Sequence, residues 1–129
     1  MFFRSMTPAA DGLPTVGRSA RSLGVRVPQD IRADADGNVW PGQGGMSVAP
    51  DSMWNVPNHR RPRSMERGST GPAFDQVFAL VSIQVGLAVR LDPDRPTKHA
   101  YVEPASVVPL EAFEDSIADT RPEWKRVWP

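Results

Sequence analysis

Proline and glycine set the tightest limit on what this chain can fold into. The sequence holds 14 prolines and 10 glycines among 129 residues. Proline lacks a backbone N–H and interrupts helices and central strands, whereas glycine favours turns. We therefore expect short secondary-structure elements joined by long Pro/Gly-rich loops, and the sequence excludes a bundle of long helices.

Length and composition indicate one domain over residues 1–129. Hydrophobic residues make up 40% and charged residues 23% of the chain, as in a globular protein with one small core. Without cysteine the chain forms neither disulfides nor a thiolate zinc site. The 15 basic and 15 acidic side chains balance, so no net charge attracts nucleic acid or an anionic membrane. We also expect no membrane span, because the longest apolar-rich stretch covers only residues 77–89.

Side-chain periodicity predicts several short strands and one helix. Apolar alternation bounded by turn residues indicates strands over residues 2–6, 23–27, 46–49, 76–81, 87–92 and 99–103. The last two are expected to form an antiparallel pair around the turn at residues 92–96. Leu110, Phe113 and Ile117 fall on one stripe, which predicts an amphipathic helix over residues 109–118.

Three side chains near the last predicted strand form a candidate catalytic edge. On a strand, His99, Tyr101 and Glu103 point to the same face of the sheet. A carboxylate beside an aromatic ring and a histidine is a reasonable catalytic arrangement. The same pattern also fits a strand whose polar face points to water.

The long connection over residues 51–72 is rich in arginine. It contains His59, Arg60, Arg61, Arg63 and Arg67. Guanidinium groups match the geometry of phosphate oxygens, so this run is a candidate site for a nucleotide or RNA. Together with His59 and His99 it suits an RNA-targeting toxin. Ordinary surface arginines of a solvated loop are the alternative interpretation.

Motifs of several common enzyme classes are missing. The sequence contains no HExxH, P-loop, GxSxG or GxGxxG, which removes support for common hydrolases, kinases and dehydrogenases. The two histidines lie 40 residues apart, and no paired acid–histidine spacing indicates a metal site. A further alternative is a non-catalytic module that holds another protein through the aromatic anchors Trp40, Trp54, Trp124 and Trp128.

Three short blocks of sequence occur in a definite order along the chain. They are Phe2-Phe3-Arg4-Ser5-Met6, Gly44-Gly45-Met46-Ser47-Val48 and His99-Ala100-Tyr101-Val102-Glu103-Pro104-Ala105. The predicted amphipathic helix and a tail through Trp124 follow them. In this order the blocks resemble the small ADP-ribosyltransferase-like toxins that bacteria deliver by type VI secretion.

This resemblance implies an α+β fold like the catalytic core of diphtheria-type toxins. Such a core is a small split, twisted, mostly antiparallel sheet with short helices and a cleft for NAD, which is consumed as substrate. The match implies that Arg4 contacts an NAD phosphate or ribose and that Ser47 shapes the cleft. It also implies that Glu103 is the acidic residue of the last catalytic strand, with His99 as its neighbour. Tyr101 or Trp54 is the candidate to stack on nicotinamide.

The resemblance also carries expectations about biology. It implies a bacterial toxin that acts in the cytoplasm of a target cell and is blocked by an immunity protein or antitoxin. Residue 101 is tyrosine, so the chain lacks a Glu-x-Glu pair ending at Glu103. Transfer of ADP-ribose to arginine is therefore not implied.

Overall fold

Short strands dominate the computed structural model, which describes residues 1–128. The strands are β1 (Phe2–Met6), β2 (Asn38–Val39), β3 (Met46–Pro50), β4 (Gln76–Leu80), β5 (Leu87–Leu91), β6 (Ala100–Pro104), β7 (Val108–Pro109) and β8 (Lys125–Trp128). The helix α1 spans Leu110–Ala118, and single 3-10 turns span Met53–Asn55 and Arg121–Glu123. None of the helices in this part of the chain is both long and apolar enough to cross a membrane.

Six of the strands form one antiparallel sheet with the order β5-β6-β3-β1-β4-β8. The two short strands β2 and β7 form a separate antiparallel pair beside α1. The prediction of an α+β fold with a mostly antiparallel sheet is therefore confirmed. The predicted pairing of the last two long strands is confirmed as well, since β5 and β6 are neighbours.

Alternating side chains place a hydrophobic cluster on each face of the sheet. The larger cluster includes Phe78 and Val102 and is covered by α1 through Phe113. The smaller cluster includes Phe3 and Val77. The residues next to them in sequence, Phe2 and Phe78, pack in the larger cluster on the opposite face. The period of two in each strand produces this division, because successive residues point to opposite sides.

The end of the chain is fixed against the core by a buried tryptophan. Trp124 is 1% exposed, and its indole N–H donates to Thr120 Oγ1 at 2.9 Å. The Thr120 hydroxyl donates in turn to the carbonyl of Ile117, near the end of α1. Because the polar atom of the indole is satisfied, the large ring can be buried without an unpaired donor.

The predicted strand over residues 23–27 is wrong. Leu23 and Val25 are buried, but the segment makes only an isolated bridge between Val16 and Leu23. A Cβ atom at Gly24 would lie 1.9 Å from the carbonyl oxygen of Gly17. At Gly24 the segment thus packs directly against the backbone of the preceding loop. It forms no continuous ladder of hydrogen bonds with another strand, so it is not a strand itself.

Candidate functional site

A cavity of about 390 Å³ opens beside β1 and β3. Its basic and titratable lining consists of Arg4, Arg26, His59, Arg60, Arg61, Arg95, Lys98 and His99. Among residues 1–128, Asp30 is the single carboxylate in the lining, and it is already paired with Arg26 at 2.9 Å. The remaining positive charge makes this basic cavity suitable for an anionic ligand.

Arg4 lies where the strands β1 and β3 stop pairing. Their register covers two residue pairs, Phe2 with Pro50 and Phe3 with Ala49. Just past the last pair, Arg4 Nη1 donates to the carbonyl of Ser47 at 2.7 Å. Nε and Nη2 both donate to the carbonyl of Ser22, at 3.0 and 2.9 Å. The guanidinium is therefore held between the two separating strands by backbone oxygens.

The Arg4 guanidinium is a buried cation without an ion-pair partner among residues 1–128. The side chain is 7% exposed, and burial lowers its pKa to about 10, against the smaller opposite effect of Asp30. At neutral pH the group still carries its charge. A buried, charged guanidinium that bonds only to carbonyls is well prepared to bind an anion.

Ser5 follows Arg4 on β1 and is also among the lining residues, but its hydroxyl is buried. It is 4% exposed, and its hydroxyl makes no hydrogen bond within the part of the chain that the structure describes. Buried hydroxyl groups normally have a partner, because an unpaired one loses its bonds to water without replacement. The hydroxyl oxygen has almost no accessible surface, so a ligand in the open cavity does not reach it without a local rearrangement.

Of the predicted site residues, Arg4, Ser47, Trp54 and His99 all line the basic cavity. Trp54 lies on the 3-10 turn, whose N-terminus is capped by Ser52. Its ring contacts Arg67, at 4.4 Å from the guanidinium carbon to the ring centroid, and Trp128, at 6.4 Å between centroids. These contacts limit the ring surface that remains for stacking on a ligand.

Tyr101 and Glu103 are not part of the cavity lining. Tyr101 is the register partner of Ser47 and packs edge-on against His99, with ring centroids 4.6 Å apart. Arg90 lies over the Tyr101 ring at 4.6 Å from its centroid. The structure thus brings Tyr101 next to two residues of the cavity.

Glu103 is buried in a small network of its own. Its Oε2 accepts the backbone N–H of Gly42 at 2.7 Å and Nε of Arg90 at 3.0 Å. Gly42 has φ of +81°, a conformation that favours glycine, so the glycine-rich loop directs an amide at this carboxylate. A catalytic role for Glu103 stays a prediction.

The arginine run is not a solvated loop of equivalent side chains. Arg61 is 5% exposed and donates to the carbonyls of Trp54 and Arg67, to Ser69 Oγ and to Asn58 Oδ1. These bonds make Arg61 the centre of the connection, and the residue also lines the cavity. Arg60 lines the cavity, whereas Arg63 and Arg67 are not part of the lining.

Asp92 is a further residue that sequence reasoning did not select as part of a site. His99 Nδ1 lies 2.7 Å from Asp92 Oδ2. This hydrogen bond, with a smaller contribution from the Asp94 backbone N–H, lowers the pKa of Asp92 below its ordinary value of 3.8. The only sequence signal for the pair was the predicted hairpin, which brings residues on either side of its turn together.

Within residues 1–128, no group of at least three His, Asp or Glu side chains is arranged to hold a metal ion. No family model matches the chain, and neither the curated proteins nor the solved structures provide a match.

Proposed function

We propose that the basic cavity binds NAD and that the chain is an ADP-ribosyltransferase-like bacterial toxin. The observation that carries the proposal is Arg4, a buried guanidinium between two separating strands with no carboxylate partner among the described residues. The pyrophosphate of NAD would supply the missing anion. The cation of Arg60 lies in the same lining and supports an anionic ligand there.

The proposed reaction breaks the bond between nicotinamide and ribose. The ribose develops positive charge as this bond breaks, and a fixed carboxylate stabilises the charge more than it stabilises NAD itself. Both hydrogen bonds to Glu103 fall on Oε2, which leaves Oε1 without a hydrogen bond among the described residues. Glu103 is not part of the cavity lining, so this role requires the ribose end of NAD to extend beyond the lining toward Glu103. Gly42 and Arg90 would hold the carboxylate in place as the charge forms.

The experiment is a measurement of nicotinamide release from NAD by the purified chain and by Glu103→Gln. We expect the wild type to release nicotinamide and the variant to lose about 100-fold or more of kcat, as when one electrostatic stabiliser is removed. Glutamine keeps the size and an acceptor oxygen for Gly42, so the fold should persist. Full activity of Glu103→Gln would reject this carboxylate, and an inactive wild type would reject the reaction.

A second candidate function is the binding or cleavage of RNA. It is favoured by one observation: His59 and His99, 40 residues apart in sequence, line the same cavity together with Arg60 and Lys98. RNA affinity would fall steeply with salt, with a slope of about −0.7 in log K per phosphate contacted. Binding of NAD involves few phosphates and would change much less over the same range.

A toxin of this class would act in the cytoplasm of the cell it enters and would need an immunity protein or antitoxin. The aromatic anchors of the alternative protein-binding module are mostly engaged within the chain. Trp124 is buried, and Trp54 and Trp128 pack on each other. Trp40 is 45% exposed, and its indole N–H donates to Asp34.

A further inference from the structure

The β5–β6 hairpin joins a buried carboxylate to a histidine of the cavity. The backbone N–H of Asp92 donates to the carbonyl of His99 at 3.0 Å, which closes the hairpin. The two side chains then meet on the same side of the turn, with Nδ1 of His99 at 2.7 Å from Oδ2 of Asp92. Asp92 is 7% exposed and is not part of the cavity lining, so the carboxylate reaches the cavity only through the imidazole.

The imidazole ring of His99 is held in one orientation. Asp92 bonds one edge of the ring, and Tyr101 packs against it at 4.6 Å between centroids. A ring nitrogen that faces a carboxylate carries the hydrogen, which leaves the lone pair on Nε2. His99 lines the cavity together with Arg4. The ring that carries this lone pair therefore lies at the site where NAD is proposed to bind.

We propose that His99 accepts a proton in the cavity and that Asp92 is its positioning residue. This inference rests on the proposed reaction with NAD and adds the proton acceptor to it. Asp92 fixes the ring with Nε2 unprotonated and stabilises the positive charge that the ring gains when it accepts the proton.

The step balances with a hydroxyl nucleophile, for which water serves in the simplest assay. The oxygen lone pair forms the new bond to C1′ of the ribose, and the bond from C1′ to the nicotinamide nitrogen breaks. The electron pair of that bond leaves with neutral nicotinamide. The proton of the nucleophile passes to Nε2 of His99 and is later released to solvent.

Other charged or titratable groups share the hairpin or the cavity with the His99 ring. They are Arg95, Lys98 and Tyr101 from the hairpin, and Arg4, Arg26, His59, Arg60, Arg61 and the carboxylate Asp30 from the rest of the cavity. Arg95 also approaches the Asp92 carboxylate, at 3.8 Å. The test must therefore separate the role of one base from a general change of charge.

The test compares nicotinamide release from NAD across pH for the wild type, His99→Asn, Asp92→Asn and the control Asp94→Asn. Asparagine at 99 keeps an N–H donor near the position of Nδ1 for Asp92, and it has no group at the position of Nε2. Asparagine at 92 can donate to Nδ1 and so shift the ring hydrogen to Nε2. The Asp94 carboxylate is exposed and makes no side-chain hydrogen bond in the described residues.

We expect both His99→Asn and Asp92→Asn to lose about 10²- to 10⁴-fold in kcat at neutral pH, with KM for NAD nearly unchanged. Their residual rates should rise about tenfold per pH unit, because hydroxide replaces the water that the base would activate. Asp94→Asn should match the wild type in rate and pH profile. Thermal melts of all four proteins confirm that each is folded.

Three results would overturn the inference. The first is a wild-type rate and pH profile in folded His99→Asn or Asp92→Asn. The second is a loss in Asp92→Asn that comes with weaker NAD binding and an unchanged pH profile, since that marks a structural role only. The third is NAD binding by the wild type without release of nicotinamide. A wild type that neither binds nor cleaves NAD would instead reject the proposed function, and the inference with it.

Discussion

At the scale of single residues, the most informative feature is Arg4, whose charged guanidinium is buried at a cost in free energy. Burial lowers the pKa of Arg4 to about 10, which corresponds to a cost on the order of 3 kcal/mol for keeping the guanidinium charged in its buried position. The two backbone carbonyls that accept its hydrogen bonds supply no negative charge to balance it. Proteins commonly retain such a costly group where function requires it, because selection acts on activity as well as on stability.

Asp92 gives a residue-scale prediction about acid stability. The hydrogen bond from His99 lowers its pKa in the folded state, so the folded protein holds this carboxylate ionised more strongly than the unfolded chain does. The resulting stabilisation is present above the ordinary value of 3.8 and is lost as the pH falls through the lowered folded-state value. Wild type should therefore lose more stability than Asp92→Asn on acidification.

Urea unfolding at neutral pH and at about pH 3 measures this difference. The pKa values of Asp11 and Asp34 are also lowered in the folded state, but they contribute equally to both proteins, so comparison with Asp92→Asn isolates one carboxylate. Asp94→Asn serves as the control and should follow the wild type. Equal losses of stability in the wild type and Asp92→Asn would contradict the account of the pair.

At the scale of secondary-structure elements, the approach of β3 to β6 determines how the site is assembled. Ser47 and Tyr101 are register partners across these strands. Gly45, just before β3, allows the approach, because a Cβ atom there would lie 2.3 Å from the carbonyl oxygen of Val102. Its φ of +156° lies outside the range that other residues readily adopt.

Gly45→Ala should therefore destabilise the protein by more than about 2 kcal/mol, because both a clash with backbone and a strained φ are introduced. Gly12→Ala is the matched control: its φ is +82°, yet a Cβ atom there would meet nothing within 4 Å. That variant should lose only about 1 kcal/mol, from strain alone. Chemical denaturation of both variants tests the difference, and equal losses would show that the approach of the strands is not limiting.

Sequence patterns predicted elements well where the deciding information is local. Residues 76–80, 87–91 and 100–104 alternate or carry β-branched residues, and α1 has its apolar stripe, so their main features could be read without tertiary contacts. The strand β8 was not predicted, because Lys125–Trp128 lies at the sheet edge and its first three residues are exposed. This segment forms a strand because it pairs with β4, and its own residues do not indicate a strand.

At the scale of the whole molecule, the basic cavity is a product of long-range contacts. Arg4 comes from the first strand, His59 from the long connection and His99 from the last hairpin, so no local pattern could bring them together. Arg61 illustrates the same limit, since its sequence neighbours gave no sign that it would be the buried centre of the connection. The alternation of residues 99–103 predicted that His99, Tyr101 and Glu103 share one face of the sheet. It could not predict that only His99 of these three lines the cavity.

The most direct test of the central claim is a calorimetric titration of the purified chain with NAD, repeated with Arg4→Lys. Lysine keeps the positive charge but loses the planar fork that bonds Ser22 and Ser47, and it should weaken NAD binding by about tenfold or more. Arg126→Lys is the matched control, because Arg126 is exposed on β8 and lies outside the cavity lining. Binding by the wild type and by Arg126→Lys, with a clear loss in folded Arg4→Lys, is the predicted result. No binding to the wild type at millimolar NAD, or equal affinity for Arg4→Lys, would contradict the claim that this buried arginine prepares the cavity for NAD.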